Sequence, residues 1–219
     1  MNSPDTLPGS QEGVFAFLED CLGCRWWTSK ASTIPANPTV NIPFLDIRYV
    51  PPIEYRYSFW TDAFDPHWAV RNRSNGPDGL NRPEFGGQIT HGGVHTFYPL
   101  IPPERYFGDH PEWFSLIDGK RSHDRAQLCL TNTDLRKELI TNLKERIRRS
   151  PAQHVFSVSQ NDWHGNCQCA DCKALDDAAG SPAGSLLYFV NTVADEIGPP
   201  WTSAVTPSSL PHRTKRQSL

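Results

Sequence analysis

A histidine and three cysteines stand close together in the second half of the chain, in the order His164, Cys167, Cys169 and Cys172. Three thiolates and one imidazole form a complete ligand set for tetrahedral zinc. Because four protein ligands leave no open coordination position, zinc bound in this way would be structural and not catalytic. The residues leave two alternatives open, which are a disulfide in an exported homologue and free reduced thiols.

A carboxylate directly precedes this cysteine run, in the order Asn161, Asp162 and Trp163. The largely apolar residues 154–159 predict a short buried strand, so Asp162 would lie at a strand end. One interpretation is a catalytic carboxylate beside a metal-bound loop. The alternative is that Asp162 only caps the following loop, as aspartate often does after a strand.

The composition favours some classes of protein over others. A formal charge of −3 over 219 residues gives no reason to expect a nucleic acid or an anionic membrane as partner. Tryptophan (7), phenylalanine (11), tyrosine (6) and proline (20) suit a loop-rich protein that stacks aromatic rings on sugars, or a proline-rich globular domain. The first residues lack the basic and apolar parts of a secretory signal, so we expect a cytoplasmic chain, with export of complete homologues left open. The sequence does not indicate an oligomeric state.

Short apolar segments alternate with amphipathic ones along the chain. A helix is predicted from about residue 13 to 22, and a hairpin turn at Asp118-Gly119. Leucines spaced four apart predict a helix after Asn132 or Thr133, either of which can cap it, and a second helix is predicted over 181–197. Strands are predicted over 53–60, 95–101, 126–130 and 154–159. This order predicts parallel strands with crossover helices, an α/β fold.

Several segments together resemble the bacterial proteins that carry domain of unknown function 4838. They include residues 17–28, 53–60, 71–76, 95–121, 127–132 and 158–172, and the resemblance runs from about residue 13 to 197. That family is similar to glycoside hydrolases of the alpha-glucuronidase and beta-N-acetylhexosaminidase type. The resemblance therefore implies a small α/β domain followed by a (β/α)₈ TIM barrel.

This scheme divides the chain into four parts. A whole barrel needs about 250 residues and eight strands, and only four strands are predicted, so we expect an incomplete barrel. The predicted parts are a remnant of the small domain (1–27), a proline-rich linker (28–52), the first half of the barrel (53–198) and a disordered or out-of-frame tail (199–219).

The resemblance also implies roles for individual residues. An acidic pair ends the fourth strand in the hexosaminidase-like proteins, and here the pair reads Asn161-Asp162. We expect Asp162 to protonate the glycosidic oxygen, with a pKa raised by burial beside Trp163, while Asn161 holds a sugar hydroxyl or amide. Residues near the mouth of the implied barrel are candidates for substrate binding, and His95 among them stands at the start of the second predicted strand. These candidates are Trp60, Arg71, His95 and Trp163.

Two classes of function follow from these expectations. The first is a glycoside hydrolase that acts on a polysaccharide or a uronic-acid glycoside and needs no cofactor for catalysis. The second is a non-catalytic carbohydrate-binding or surface protein, because Asn161 cannot ionise. An inactive gene fragment is a further alternative for this chain alone.

Overall fold

The computed structural model describes residues 9–42, 44–47 and 51–198. The predicted tail, residues 199–219, lies outside this range. The chain divides into two units, the first ending at Thr90 and the second beginning at His91. Each unit is described by itself below.

The first unit contains one long helix and many short elements. Helix α1 spans Gly9–Asp20, close to the predicted position, and strands β1 (Arg25–Trp26) and β2 (Ser32–Thr33) pair antiparallel. Helix α2 spans Pro66–Arg71, and Asp65 caps it by accepting from two backbone N–H groups. The described residues of this unit also contain three 3₁₀ helices, at Thr61–Phe64, Asp78–Leu80 and Pro83–Phe85.

The second unit has three longer helices that enclose its core. Helix α5 spans Thr133–Arg149, α6 spans Ala170–Ala179 and α7 spans Ala183–Ile197. The leucine stripe of α5 faces inward, since Leu135, Leu139 and Leu143 are buried, as their spacing predicted. Shorter elements precede them in the chain. These are α3 (Phe97–Leu100), α4 (Pro103–Tyr106), a 3₁₀ helix (Pro111–Trp113), β3 (Leu116–Ile117) and β4 (Lys120–Arg121).

Two local sequence patterns, a helix cap and a hairpin turn, predicted the structure correctly. The side-chain oxygen of Asn132 accepts from the N–H groups of Asp134 and Leu135 and so caps α5. The hairpin between β3 and β4 turns at Asp118 and Gly119, whose φ values of 47° and 77° suit a tight two-residue turn.

The predicted strands form differently. The strand prediction for 95–101 is wrong, because α3 occupies the centre of this segment. The reason is Pro99, which has no N–H for a strand ladder but is tolerated in the first turn of a helix. Segments 126–130 and 154–159 form no strand either, and each carries only an isolated bridge, from Leu128 to Phe114 and from Val155 to His91. The described residues 53–60 contain no strand. Both sheets found in the described residues are two-stranded and antiparallel, so the barrel stays a prediction.

None of the helices in the described part of the chain is both long and apolar enough to cross a membrane.

Candidate metal centre and aromatic cleft

Four cysteines converge in the second unit. The sulfur atoms of Cys129, Cys167, Cys169 and Cys172 all lie within 4.8 Å of one another, and the Sγ atoms of Cys129 and Cys169 are 3.7 Å apart. Three of the four residues are buried, and Cys169 is half-buried. We call this group the four-cysteine centre. Its geometry is compatible with a bound metal ion.

Three segments of chain bring these cysteines together. Cys129 belongs to the extended stretch that leads to α5, three residues before the capping Asn132. Cys169 is the residue before α6, and Cys172 lies in the first turn of that helix. Close approach of the loop requires Gly165, which has φ +81°, because a Cβ there would lie 2.8 Å from the carbonyl oxygen of Arg125.

Polar groups surround the sulfur atoms. The N–H of Leu116 donates to Cys167 Sγ at 3.3 Å, and Arg121 Nη1 lies 3.8 Å from the same atom. The hydroxyl of Thr131 lies 3.3 Å from Cys172 Sγ and 3.8 Å from Cys169 Sγ. These donors would stabilise negative charge on the sulfurs.

The crowded thiols affect one another's ionisation. Hydrogen bonds from Cys167 and Cys172 hold the pKa of Cys129 well below its usual range. In turn, the hydrogen bond to Cys129 raises the pKa of Cys167 to about 11 and raises the pKa of Cys172 as well. A negative charge on Cys129 therefore opposes ionisation of Cys167 and Cys172.

The structure changes the predicted ligand set at one position. Cys167, Cys169 and Cys172 lie together as predicted, but His164 is exposed and outside the group, and Cys129 completes it. Cys129 was missed because it lies 38 residues before Cys167 and has no cysteine close to it in sequence. A signal was nevertheless present. Cys129 lies near the end of one predicted strand and the cysteine run follows the next, and parallel neighbours end at the same edge.

A buried glutamine, also missed from the sequence, holds the segment between the centre and Asp162. Gln127 is 2% exposed. Its Nε2 donates to the carbonyls of Asn161 (3.0 Å) and Trp163 (2.6 Å), and its Oε1 accepts from the N–H of Asn161 (2.9 Å). Its backbone N–H donates to the carbonyl of Gly165. The backbone on both sides of Asp162 is therefore fixed.

Asn161 is part of the same buried network. Its Oδ1 accepts from the N–H of Tyr98 at 3.3 Å, and its Nδ2 donates to the carbonyl of Ala126 at 3.0 Å. The residue is 4% exposed. Asn161 would have to break these hydrogen bonds to hold a sugar. Its contacts are those of a residue that fixes the local backbone.

Asp162 points out of this network. Its side chain is exposed, and so is that of Trp163, which is 51% exposed. The burial expected around this carboxylate is therefore absent from the described chain. The segment presents an acid and an indole side by side to solvent.

Trp163 also lines an open cleft of about 810 Å³ in the second unit. The floor and walls carry aromatic rings and prolines, and three charged side chains stand at the rim, Glu104, Asp124 and Arg125. These three were missed from the sequence, because Glu104 lies in the short helix α4 and the other two lie in a turn, without a shared motif. The cleft's apolar lining comprises Tyr98, Pro99, Pro102, Pro103, Phe107 and Trp163.

Internal contacts fix two of these rings. The hydroxyl of Tyr98 donates to the carbonyl of His123 at 3.0 Å, and the Phe107 and His123 rings meet edge to face at 4.5 Å. Burial, with a smaller effect from the charge of Asp124, raises the pKa of Tyr98. Tyr98 is therefore a neutral, immobilised part of the cleft wall.

The remaining predicted substrate-binding residues lie elsewhere. His95 is exposed in the second unit, where its Nδ1 lies 3.0 Å from the carbonyl oxygen of Gln160. Trp60 and Arg71 belong to the first unit. Trp60 is exposed and donates to Asp62 at 3.1 Å, and Arg71 is half-buried in the last turn of α2. Their predicted roles stay predictions.

Comparison with known proteins identifies a family. A family model described as "Domain of unknown function (DUF4838)" matches residues 26–202. This match covers most of the chain, so the chain belongs to that family. No curated protein and no solved structure matches the chain. The family description names no activity, so function has to be argued from the site.

Proposed function

We propose that this member of the DUF4838 family binds carbohydrate in the aromatic cleft. We propose further that it forms part of a glycoside-hydrolase-like protein in which Asp162 is the general acid. The observation that carries the proposal is the exposed indole of Trp163 in the cleft lining, on a backbone held by Gln127, with the exposed Asp162 as its neighbour in sequence.

The lining of the cleft suits a sugar. Flat rings such as Trp163 and Phe107 stack on the apolar faces of pyranose rings, while carboxylates accept hydrogen bonds from sugar hydroxyls. Glu104 and Asp124 supply such carboxylates at the rim. Arg125 supplies a guanidinium that could pair with the carboxylate of a uronic acid.

The position of Asp162 suits proton donation. A general acid must be held within hydrogen-bond reach of the leaving oxygen, and Gln127 fixes the backbone before and after Asp162. A bound sugar that stacks on Trp163 would reduce the exposure of the neighbouring carboxylate. This chemistry requires no cofactor.

The barrel implied by the family resemblance is retained as part of this proposal. Segment 126–130 contains Cys129 and precedes the α5 cap, and segment 154–159 precedes the Asn161-Asp162 pair. Placement of functional residues just after extended segments is the arrangement that barrel enzymes use.

The four-cysteine centre has a structural role in this proposal. We assign zinc as its ion, because thiolates favour zinc. Since four protein ligands would leave no position open for substrate or water, this zinc would be structural. The ion would hold the loop that follows Trp163, and the cleft would do the binding.

A non-catalytic carbohydrate-binding protein is the second candidate function. Two observations favour it: Asn161 is committed to buried hydrogen bonds, and the carboxylate of Asp162 is exposed in the absence of substrate. In that case the cleft would bind sugar without cleaving it.

Binding and turnover separate these functions. The full chain is tested for binding to a panel of neutral and uronic-acid oligosaccharides by calorimetry, and for hydrolysis of aryl glycosides. We expect Trp163→Ala to weaken binding by roughly 10-fold or more, while Trp27→Ala, which removes an exposed tryptophan of the first unit, leaves it unchanged.

Asp162→Asn tests the catalytic part. If the chain hydrolyses a glycoside, this substitution should lower turnover about 100-fold or more and leave binding intact, whereas Asp195→Asn at an exposed position on α7 should change neither. Equal turnover in Asp162→Asn and the unaltered chain would refute the assignment of the acid. Binding without any hydrolysis would favour the second function.

A further inference from the structure

We infer that Cys129, Cys167, Cys169 and Cys172 bind one thiophilic metal ion, with zinc preferred, through four sulfur atoms, and that Cys129 and not His164 is the fourth ligand. This inference rests on the structural role proposed for the centre. It is independent of whether the cleft binds or cleaves sugar.

The spacing of the sulfur atoms fits a single ion. A tetrahedral ion with metal–sulfur bonds of about 2.3 Å keeps its ligand sulfurs about 3.8 Å apart. The Sγ atoms of Cys129 and Cys169 are separated by 3.7 Å, and no pair in the group exceeds 4.8 Å. An iron–sulfur cluster with several irons would hold its cysteines farther apart, because irons and sulfides lie between them.

The donor set selects the class of ion. Soft thiolates favour zinc over the oxygen-seeking magnesium and calcium ions, and a tetrahedral group of four sulfurs is typical of zinc or iron. Within the described part of the chain, the group includes neither a carboxylate nor an imidazole. Burial of three of the four cysteines keeps water from competing for the ion.

The surroundings offset the charge of such a complex. A divalent ion with four thiolates carries an excess of negative charge. The N–H of Leu116 and the guanidinium of Arg121 face Cys167, and the hydroxyl of Thr131 faces Cys169 and Cys172. Hydrogen bonds of this kind orient metal ligands and tune their affinity.

A metal here would join the segments that carry the cleft wall. Cys129 is two residues after Gln127, whose side chain holds Trp163, and Cys167 follows Trp163 by four residues. The N–H of Gln168 also donates to the carbonyl of Leu116 in the β3–β4 hairpin at 2.7 Å. One ion would thus hold the hairpin, the stretch before α5 and the start of α6 together.

Metal content and ligand substitution test the inference. The full chain is purified under reducing conditions without chelator, and its metals are measured by mass spectrometry. We expect about one zinc ion per chain. Since loss of a supporting hydrogen bond alone costs about 10–100-fold in metal affinity, Cys129→Ser should lower zinc affinity by at least about 100-fold in a chelator competition. His164→Ala should stay within about twofold of the unaltered chain.

Cobalt substitution counts the sulfur ligands directly. The sulfur-to-cobalt absorption should fall to about three-quarters in Cys129→His, which keeps a ligand at that position, and should not change in His164→Ala. This pair keeps the test informative if Cys129→Ser does not fold.

Three results would overturn the inference. One is a reduced, folded chain that takes up no zinc. Another is loss of metal in His164→Ala with full retention in Cys129→Ser, which would return the fourth position to His164. The third is a disulfide among these cysteines in the chain as purified, detected by mass spectrometry after alkylation without reduction. Failure of sugar binding alone would leave the metal site intact.

Discussion

The two units differ in how far they bury their aromatic rings. In the first unit, the buried apolar cluster consists of Ala69, Val70, Leu80 and Phe85. Large side chains of that unit lie at the surface, and Phe59 is 84% exposed. In the second unit, rings such as Phe97, Phe114 and Phe189 are fully buried in one continuous core.

This difference shows why an aromatic-rich composition does not identify a binding site. Phe114 and Trp163 are both aromatic and both belong to the second unit, but one is core and the other lines the cleft. What distinguishes them is burial, since Phe114 is 0% exposed in the core and Trp163 is 51% exposed. The comparison predicts that substitutions in the core of the second unit lower the free energy of unfolding most. Substitutions of exposed rings in the first unit should lower it least.

The largest effect is expected from Phe189→Ala. Phe189 is 0% exposed on α7 and meets Phe97 edge to face at 5.6 Å. Its removal should lower the free energy of unfolding by about 3–5 kcal/mol, as measured by urea denaturation. Leu187→Ala on the exposed face of the same helix is the control, and it should stay within about 0.5 kcal/mol. Equal effects of the two would contradict the packing of α7.

A smaller loss is expected from Gly165→Ala. The new methyl group would lie 2.8 Å from the carbonyl oxygen of Arg125. The alanine would also have to adopt a left-handed backbone conformation. We expect the free energy of unfolding to fall by about 3 kcal/mol, from steric contact and backbone strain together.

Gly119→Ala is the matched control for this substitution. It has a similar φ of +77° and open space around the new methyl group, so only backbone strain of about 1–2 kcal/mol should appear. If both variants lose the same stability, the close approach of the Gly165 loop to Arg125 does not contribute.

Removal of the helix cap should have a moderate effect. Asn132→Ala leaves the N–H groups of Asp134 and Leu135 without their side-chain acceptor. The free energy of unfolding should fall by about 1 kcal/mol. Amide hydrogen exchange should increase first in the opening turn of α5. Asn132→Asp keeps an acceptor and should recover most of the stability; no recovery would mean that the cap is not the cause.

The smallest effect is expected in the first unit, from Phe59→Ser. This ring is 84% exposed and contacts the rings of Tyr57 and Phe64 only edge to face. Its removal should change the free energy of unfolding by no more than about 0.5 kcal/mol in the same denaturation experiment. A loss comparable to that of Phe189→Ala would remove the contrast between the units.

Local patterns in the sequence predicted several elements correctly. The leucine spacing and Asn132 gave α5 and its cap, and Asp118-Gly119 gave the hairpin. These features depend on neighbours within about five residues, which is the range that helix and turn geometry sets. The apolar residues 95–101 were misread because a short apolar run suits a strand and a buried helix equally, and Pro99 was the discriminating residue.

Contacts distant in sequence decided the site. The spacing of Cys167, Cys169 and Cys172 placed three thiols in one loop, but sequence proximity also suggested His164, which is exposed. Likewise, the prominence of Asn161 beside Asp162 suggested a substrate contact, whereas folding buries Asn161 against Tyr98 and Ala126.

The sequence by itself therefore determined the family, helices α5 and α7 of the second unit, the hairpin and three of the four thiols in the centre. Only the tertiary structure decided that Cys129 is the fourth thiol, that Gln127 holds the backbone around Asp162 and that Trp163 lines a cleft. The physical reason is that helices and turns are set by hydrogen bonds between near neighbours. A binding site depends instead on side chains that meet across dozens of residues, and their pairing is fixed by how the whole core packs.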